Sequence, residues 1–224
     1  MNAEEILLKL AECVEFGKVN KAAPFPPAMK GMDGADELTK QALEIGVKPV
    51  DILNEALIKA MDKVGEKFTQ KKIFVPQMLI AAKAMNASME HLKPFFQSGE
   101  VKRKGKFIIG TVAGDLHDIG KNLVAMIVEG AGWEVIDLGV DVSAAKFLQA
   151  IKENEGAVVG LSALLTTTML SMKNIVAEIK REYPNVTCLI GGAPINDQFM
   201  VEIGADGYSS DPQGAVNYLN ALVA

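Results

Sequence analysis

A helical bundle followed by a doubly wound parallel α/β sheet is the fold class that this chain predicts. Three observations carry it. Four amphipathic helical patterns fall within the first 93 residues, five short apolar runs alternate with helical stretches after residue 106, and a short polar stretch separates the two patterns. At 224 residues the chain has room for one large domain or two modest ones, at roughly 100–200 residues per domain. The change of pattern points to two: residues 1–93 helical, 94–106 a linker that could serve as a hinge, and 107–224 an α/β domain.

The helical patterns are Ile6, Leu7, Leu10 and Val14; then Leu38, Ala42 and Ile45; then Val50, Leu53, Leu57, Ala60, Met61 and Val64; then Met78, Leu79, Ala82, Met85, Met89 and Leu92. Together they predict a four-helix bundle. Gly46 suits a helix C-terminus, and Pro76 suits the first turn of the last helix, where its missing N–H costs nothing. Between the first two helices, residues 20–34 contain three prolines and two glycines and read as a loop. A loop of that length is often functional, and Phe25, Met29 and Met32 offer apolar side chains to a partner.

In the second half, strands are expected at Phe107–Val112, Glu134–Leu138, Ala157–Leu161, Thr187–Ile190 and, more weakly, Gly207–Ser209. A helix is expected from Ile119 through Val128. Right-handed crossovers between such strands build a five-stranded parallel Rossmann-like or flavodoxin-like sheet, whose ligands bind at the carboxyl ends of the strands.

Composition narrows the function classes. A net charge of −5 gives no broad basic footprint for nucleic acid, and the run Lys102-Arg103-Lys104 with Lys106 reads as a solvated linker. No apolar segment approaches the roughly 18–20 residues that span a bilayer. The acidic opening Glu4-Glu5 is unlike a secretory signal, so the cytoplasm is the expected compartment. Cys13 and Cys188 lack metal-ligand spacing and read as buried thiols.

The unusual loops all follow strands. Asp115-Leu116-His117-Asp118-Ile119-Gly120-Lys121 follows the first, Ser162 to Thr168 the third, and Gly191-Gly192-Ala193-Pro194 the fourth. Each has an ordinary explanation alone, since glycine pairs make turns and Thr166 or Thr167 can cap a helix. Their convergence on one sheet edge is the argument for a site. Asp115, two residues before His117, is placed to accept one ring N–H and fix the tautomer. No second or third ligand of zinc spacing accompanies the histidine, so a metal here would already be held by another group, as in a tetrapyrrole-like macrocycle that asks the protein only for an axial ligand.

At this point the chain resembles a known family. Asp115 to Gly120, followed by Ser162-Ala163-Leu164 and Gly191-Gly192, is similar to the DxHxxG, SxL and GG motifs of cobalamin-binding domains, a family that includes cobalamin-dependent methionine synthase and the small corrinoid proteins of methyltransferase systems. The longer match Asp115 to Asn122 resembles the methyl-transferring branch. Upstream, Gly65-Glu66-Lys67-Phe68 and Phe74-Val75-Pro76-Gln77 resemble the helical cap over the upper corrin face, with Val75 where many caps carry leucine.

The resemblance implies a cobalamin or related corrinoid bound base-off/His-on. His117 would be the lower axial cobalt ligand, Asp115 its hydrogen-bond partner, and Thr168 the third member of the relay in place of a serine. Gly114, Asp118, Ile119, Gly120, Ser162, Leu164, Thr166, Gly191 and Gly192 would line the cofactor site and the tunnel for its displaced base, and Phe68 and Val75 would shield the methyl group. It also implies a non-autonomous methyl carrier of one-carbon metabolism. Cobalt(I) would accept a methyl group from a substrate-specific methyltransferase, and a second methyltransferase would pass it to tetrahydrofolate or a thiol, with a reductive activase as a further partner. A cobalamin-dependent sensor is the alternative, although such sensors usually add a DNA-binding segment. The methyl donor, the oligomeric state and the exact lower base stay open.

Overall fold

In the computed structural model, which describes residues 1–223, the chain divides into two compact units, Met1–Arg103 with Gly130–Gly132, and Lys104–Glu129 with Trp133 onward. The first unit holds α1 (Ala3–Phe16), α2 (Ala35–Glu44), α3 (Pro49–Asp51), α4 (Lys59–Thr69) and α5 (Val75–Gln97). A π-helical stretch, Ile52–Ile58, joins α3 to α4 without a break, so the four sequence patterns become four rods.

The amphipathic stripes meet as expected. α1 packs on α2, α4 and α5, and α2 packs on α5, burying Leu10, Val14, Leu38, Leu57, Met61, Met78, Met85 and Leu92. Each large apolar side chain so removed from water contributes roughly 1.5–3 kcal/mol. The α1 start is fixed by a capping box in which Asn2 and Glu5 exchange hydrogen bonds at 2.8 and 3.0 Å. Pro76 sits in the first turn of α5, and Gly46 takes a positive φ just past α2.

The structure departs from the sequence patterns in three places. Ile45, Val50 and Leu79 are exposed rather than core, Ile45 because it is already the cap residue of α2. α5 runs through Pro94 to Gln97, four residues into the stretch expected as linker, because a proline near a helix end removes only one N–H and Ser98 still closes on the Pro94 carbonyl at 3.0 Å. The loop 20–34 contains a short 3-10 turn, Pro27–Met29. Its base is anchored: Glu37 accepts the N–H groups of Lys21 and Gly34 at 2.9 Å, and the buried Lys18 ammonium donates to the Ala23 carbonyl at 2.7 Å. Phe25 and Met32 stay exposed on it.

The second unit holds β1 (Lys106–Thr111), β2 (Glu134–Asp137), β3 (Val158–Ser162), β4 (Cys188–Gly191) and β5 (Gly207–Ser209), with α6 (Ile119–Gly130), α7 (Ala144–Glu153), α8 (Met169–Glu182), α9 (Asp197–Ile203) and α10 (Pro212–Ala221) between and after them. The strands form one parallel sheet in the order β2-β1-β3-β4-β5. This is the doubly wound flavodoxin-like order, whose direction reverses between β1 and β3. The ends are also in register: Thr111 pairs with Ser162, Ser162 with Gly191, and Gly191 with Ser209. Four loops therefore leave the sheet along one line.

On one face of the sheet, Ile108, Val159 and Leu161 pack with Phe147, Ile151, Met172 and Val176 from α7 and α8. Cys13 and Cys188 are free buried thiols, pushed up to about 11 and about 12 by burial. Among the described residues no helix is long and apolar enough to cross a membrane.

Candidate functional site

The loop after β1 turns sharply at Gly114, whose positive φ and N–H bond to Asp141 Oδ1 at 2.7 Å aim Asp115 back under the sheet edge. There Asp115 is fully buried and becomes the hub of the site. Its Oδ1 lies 2.7 Å from His117 Nδ1 and accepts the His117 backbone N–H at 3.1 Å. Its Oδ2 accepts the Leu164 N–H at 2.8 Å and the Thr168 hydroxyl at 2.8 Å, with the Leu165 N–H at 3.4 Å. One carboxylate thus stitches the β1 loop to the β3 loop at the switch point.

Burial by itself raises the Asp115 carboxyl, but the Leu164 N–H, the His117 ring, the Thr168 hydroxyl and the His117 N–H outweigh it and hold the group well below the usual carboxylate range. An ionised carboxylate only accepts, so His117 Nδ1 carries the hydrogen of this bond, and in the neutral ring Nε2 holds the lone pair. The His117 side chain is 51% exposed while its partner Asp115 is 0% exposed. The free nitrogen belongs to an imidazole that is held from behind and open in front. The His117 carbonyl is fixed as well, accepting the Thr111 hydroxyl at 2.8 Å.

That imidazole stands at a cavity of about 760 Å³ lined by Leu116, His117 and Asp118 from the β1 loop, by Ile119, Gly120 and Lys121 from the start of α6, and by Ser162, Leu164, Gly191 and Gly192 at the ends of β3 and β4. The cavity reaches between the second sheet face and the helices α6 and α10, past Phe107, Leu123, Gly160, Tyr208 and Ala215. Its wall is mostly apolar, as small-molecule and cofactor sites generally are. Gly192 shows how closely the edge is built: at φ +130°, a Cβ there would stand 1.8 Å from the Ala163 carbonyl oxygen. The exposed Leu116, Ile119 and Leu164 are apolar side chains at the cavity mouth without cover in this unit.

Of the residues expected from sequence, His117, Asp118, Ile119, Gly120, Ser162, Leu164, Gly191 and Gly192 line the cavity. Asp115 and Thr168 lie behind them, and Gly114 acts through the turn. Thr166 and Thr167 do not cap a helix; Thr168 is the residue at the start of α8, and its side chain turns to Asp115 instead. Thr166 is exposed outside the lining. Phe68 and Val75 are half-buried in the helical unit. Sequence reasoning missed the β5 end, Tyr208 to Pro212, and the wall residues Leu123, Gly160 and Ala215. The weak apolar run of β5 gave a signal, because its loop must also open on the carboxyl edge.

Among the described residues no three His, Cys, Asp or Glu side chains gather to hold a metal. A single free imidazole facing a large cavity suits a metal that arrives with its other ligands, and here the comparisons with known proteins decide. A B12 binding domain family matches residues 105–217, and a second B12 binding domain family matches residues 32–93. The chain is a corrinoid protein by family.

Corrinoid proteins named for methylamines are among its relatives. Dimethylamine corrinoid protein 1 of Methanosarcina acetivorans is 38% identical over the full length of both chains. Trimethylamine corrinoid protein 1 of the same organism is 37% identical, covering 84% of this chain and 89% of the relative. Among solved structures, a methanol:cobalamin methyltransferase complex from Methanosarcina barkeri aligns with a TM-score of 0.83 at 27% identity, covering 98% of this chain and 80% of that one. A cobalamin-binding protein from Desulfitobacterium hafniense aligns with a TM-score of 0.72 at 29% identity over 100% and 99% of the two chains. The fold of this corrinoid protein, a helical region followed by a five-stranded parallel α/β sheet, is therefore shared along its whole length.

Proposed function

We propose that this chain is a methyl carrier that holds a cobalamin or related corrinoid base-off/His-on and shuttles a methyl group between two methyltransferases. The observation that carries the reading is the Asp115–His117 pair: the buried carboxylate takes the Nδ1 hydrogen at 2.7 Å and leaves Nε2 free at the cavity. When bound, the corrin supplies a cobalt that accepts and gives up a methyl group.

The chain's own residues do the rest. His117 Nε2 would be the protein's ligand to the cobalt, and Asp115 would hold the ring hydrogen on the far nitrogen and make the imidazole a stronger donor. Thr168 and the Leu164 N–H keep Asp115 ionised and oriented. Ser162, Leu164, Gly191 and Gly192, which line the cavity, would hold the cofactor's displaced base and nucleotide tail. By the family resemblance Phe68 and Val75, half-buried in the helical unit, would shield the methyl group.

The donor-side partner is a substrate-specific methyltransferase, for which the names of the relatives favour a methylated amine as donor class. The acceptor-side partner would pass the methyl group to tetrahydrofolate or a thiol, and a reductive activase would be a further partner. Loading the full chain with cobalamin and recording its absorption tests the core of this. The His117→Gly variant is expected to fold and to lose the axial-imidazole spectrum, and an unchanged spectrum overturns the ligand assignment. Transfer of methyl from a methylamine to the bound cobalt(I), with a cognate methyltransferase, tests the donor class.

A further inference from the structure

Asp115 and Thr168 grip the His117 segment from the β3 side, and a separate set of bonds grips it from the β2 side. The loop after β2 runs along the end of β1. Thr111 donates its N–H to the Gly139 carbonyl at 3.0 Å, Val142 donates to the Thr111 carbonyl at 2.9 Å, and Asp141 donates to the Asp115 carbonyl at 3.0 Å. Asp141 Oδ1 accepts the Gly114 N–H at 2.7 Å.

The same loop reaches the far end of the segment through a buried lysine. Lys121 is 3% exposed. Its ammonium donates to Asp137 Oδ2 at 2.5 Å and to Asn122 Oδ1 at 2.6 Å. Asp137 Oδ1 in turn accepts the Gly139 N–H at 2.8 Å, and Asn122 Nδ2 reaches Asp118 Oδ2 at 3.2 Å. Burying an ammonium is costly unless it is paired and hydrogen-bonded. An apolar side chain would hold the first turn of α6 against the sheet without that cost. What the lysine adds is direction: it ties α6 to one carboxylate at the end of β2, and through Asn122 to the residue beside His117.

We infer that Lys121, locked between Asp137 and Asn122, is a positioning residue for His117, fixing the C-terminal end of the segment whose N-terminal end Asp115 fixes. The inference rests on the reading of His117 as the axial ligand. A half-exposed imidazole must be held within about 0.5 Å to meet a metal held by another group. Two anchored ends, at residues 115 and 121, give the intervening turn no freedom to drift.

The test uses the full-length protein with Lys121→Met, Asp137→Asn and, as a reference, His117→Gly. Amide hydrogen exchange of the apo-protein reads the anchor directly. Residues 114–122 are expected to exchange about tenfold faster in Lys121→Met, the scale of one lost charge-assisted hydrogen bond, with protection elsewhere unchanged. Electron paramagnetic resonance of the protein loaded with cob(II)alamin reads the consequence, as nitrogen splitting from the axial imidazole in less than half of the molecules. Unchanged exchange or full splitting in Lys121→Met overturns the inference. If that variant does not fold, Asp137→Asn decides by the same two criteria, since the Asp137 side chain is 40% exposed and tolerates replacement. A wild-type protein without nitrogen splitting overturns the ligand reading instead, and the exchange comparison then still decides whether Lys121 anchors the segment.

Discussion

The Thr168 hydroxyl lies 2.8 Å from Asp115 Oδ2, joining residues 53 positions apart across the switch point of the sheet. It also lies 2.9 Å from the Leu165 carbonyl, but one hydroxyl hydrogen serves one acceptor at a time and the ionised carboxylate is the stronger. Thr168→Ser keeps that donor and is expected to leave stability and cobalamin uptake near wild type. Thr168→Val keeps the shape and strands part of a buried carboxylate, at about 1–3 kcal/mol of stability. Urea unfolding of the apo-proteins checks both, and equal loss in the two variants would remove the hydrogen bond from the account.

Asp115 carries a pH signature of definite sign. Its carboxyl is held well below the usual carboxylate range in the folded chain by the Leu164, His117 and Thr168 bonds, against an unfolded value of about 3.9. A depressed folded value means that the contribution is fully present above the unfolded value and is lost as pH falls through the folded one. The Asp115 carboxylate's share of the stability gap between wild type and Asp115→Asn is therefore expected to be lost steadily as pH falls below about 4. Unfolding of the apo-proteins across that range measures it. A gap that widens on acidification would reverse the assignment.

Gly192 permits no side chain. A Cβ at that position meets the Ala163 carbonyl oxygen at 1.8 Å in a backbone conformation that L side chains rarely adopt. Gly192→Ala must push the β4 loop away from the β3 loop, and strain of this kind costs roughly 1–3 kcal/mol before the clash is counted. The expected outcome is a lower melting temperature by several degrees, at about 4–8 °C per kcal/mol for a small domain and less for a larger chain, together with weakened cobalamin uptake. An unchanged melting temperature would mean that the loop relaxes freely.

The reach of the sequence can be seen at particular residues. His117 and Asp115 were legible because their spacing places a carboxylate behind an imidazole, and the glycine pair was legible because glycines at a strand end signal close approach. All five strands were found, their limits mostly displaced by one residue; Val112 makes only an isolated bridge to Val142. What sequence periodicity misses is three-dimensional exchange. Lys121 stands in the singled-out stretch after β1, but nothing in the sequence shows that it is buried against Asp137. Leu123, Gly160 and Ala215 wall a cavity that periodicity does not reveal, because an apolar side chain facing a helix and one facing a void share the same pattern. Ile45 and Leu79 read as core and are exposed, since a stripe does not show where its partner helix ends.

Ala215 separates a binding cavity from a packing defect. It is 1% exposed, on α10, and lines the cavity on the wall opposite the sheet. Leucine suits a helix and adds three carbons, each worth about 0.8 kcal/mol when buried in a space that can take it. In the apo-protein, Ala215→Leu is therefore expected to melt at or above the wild-type temperature, as cavity-filling changes commonly do. If the cavity receives the displaced base and nucleotide tail, the same leucine occupies that place, and cobalamin affinity is expected to fall at least about tenfold, about 1.4 kcal/mol. Stability and affinity then move in opposite directions, a result that neither simple misfolding nor an irrelevant void produces. Binding of cobalamin followed by absorption, beside thermal unfolding of the apo-protein, supplies both numbers. Wild-type affinity in a variant that melts higher would assign the tail to another surface and leave the cavity as unfilled core.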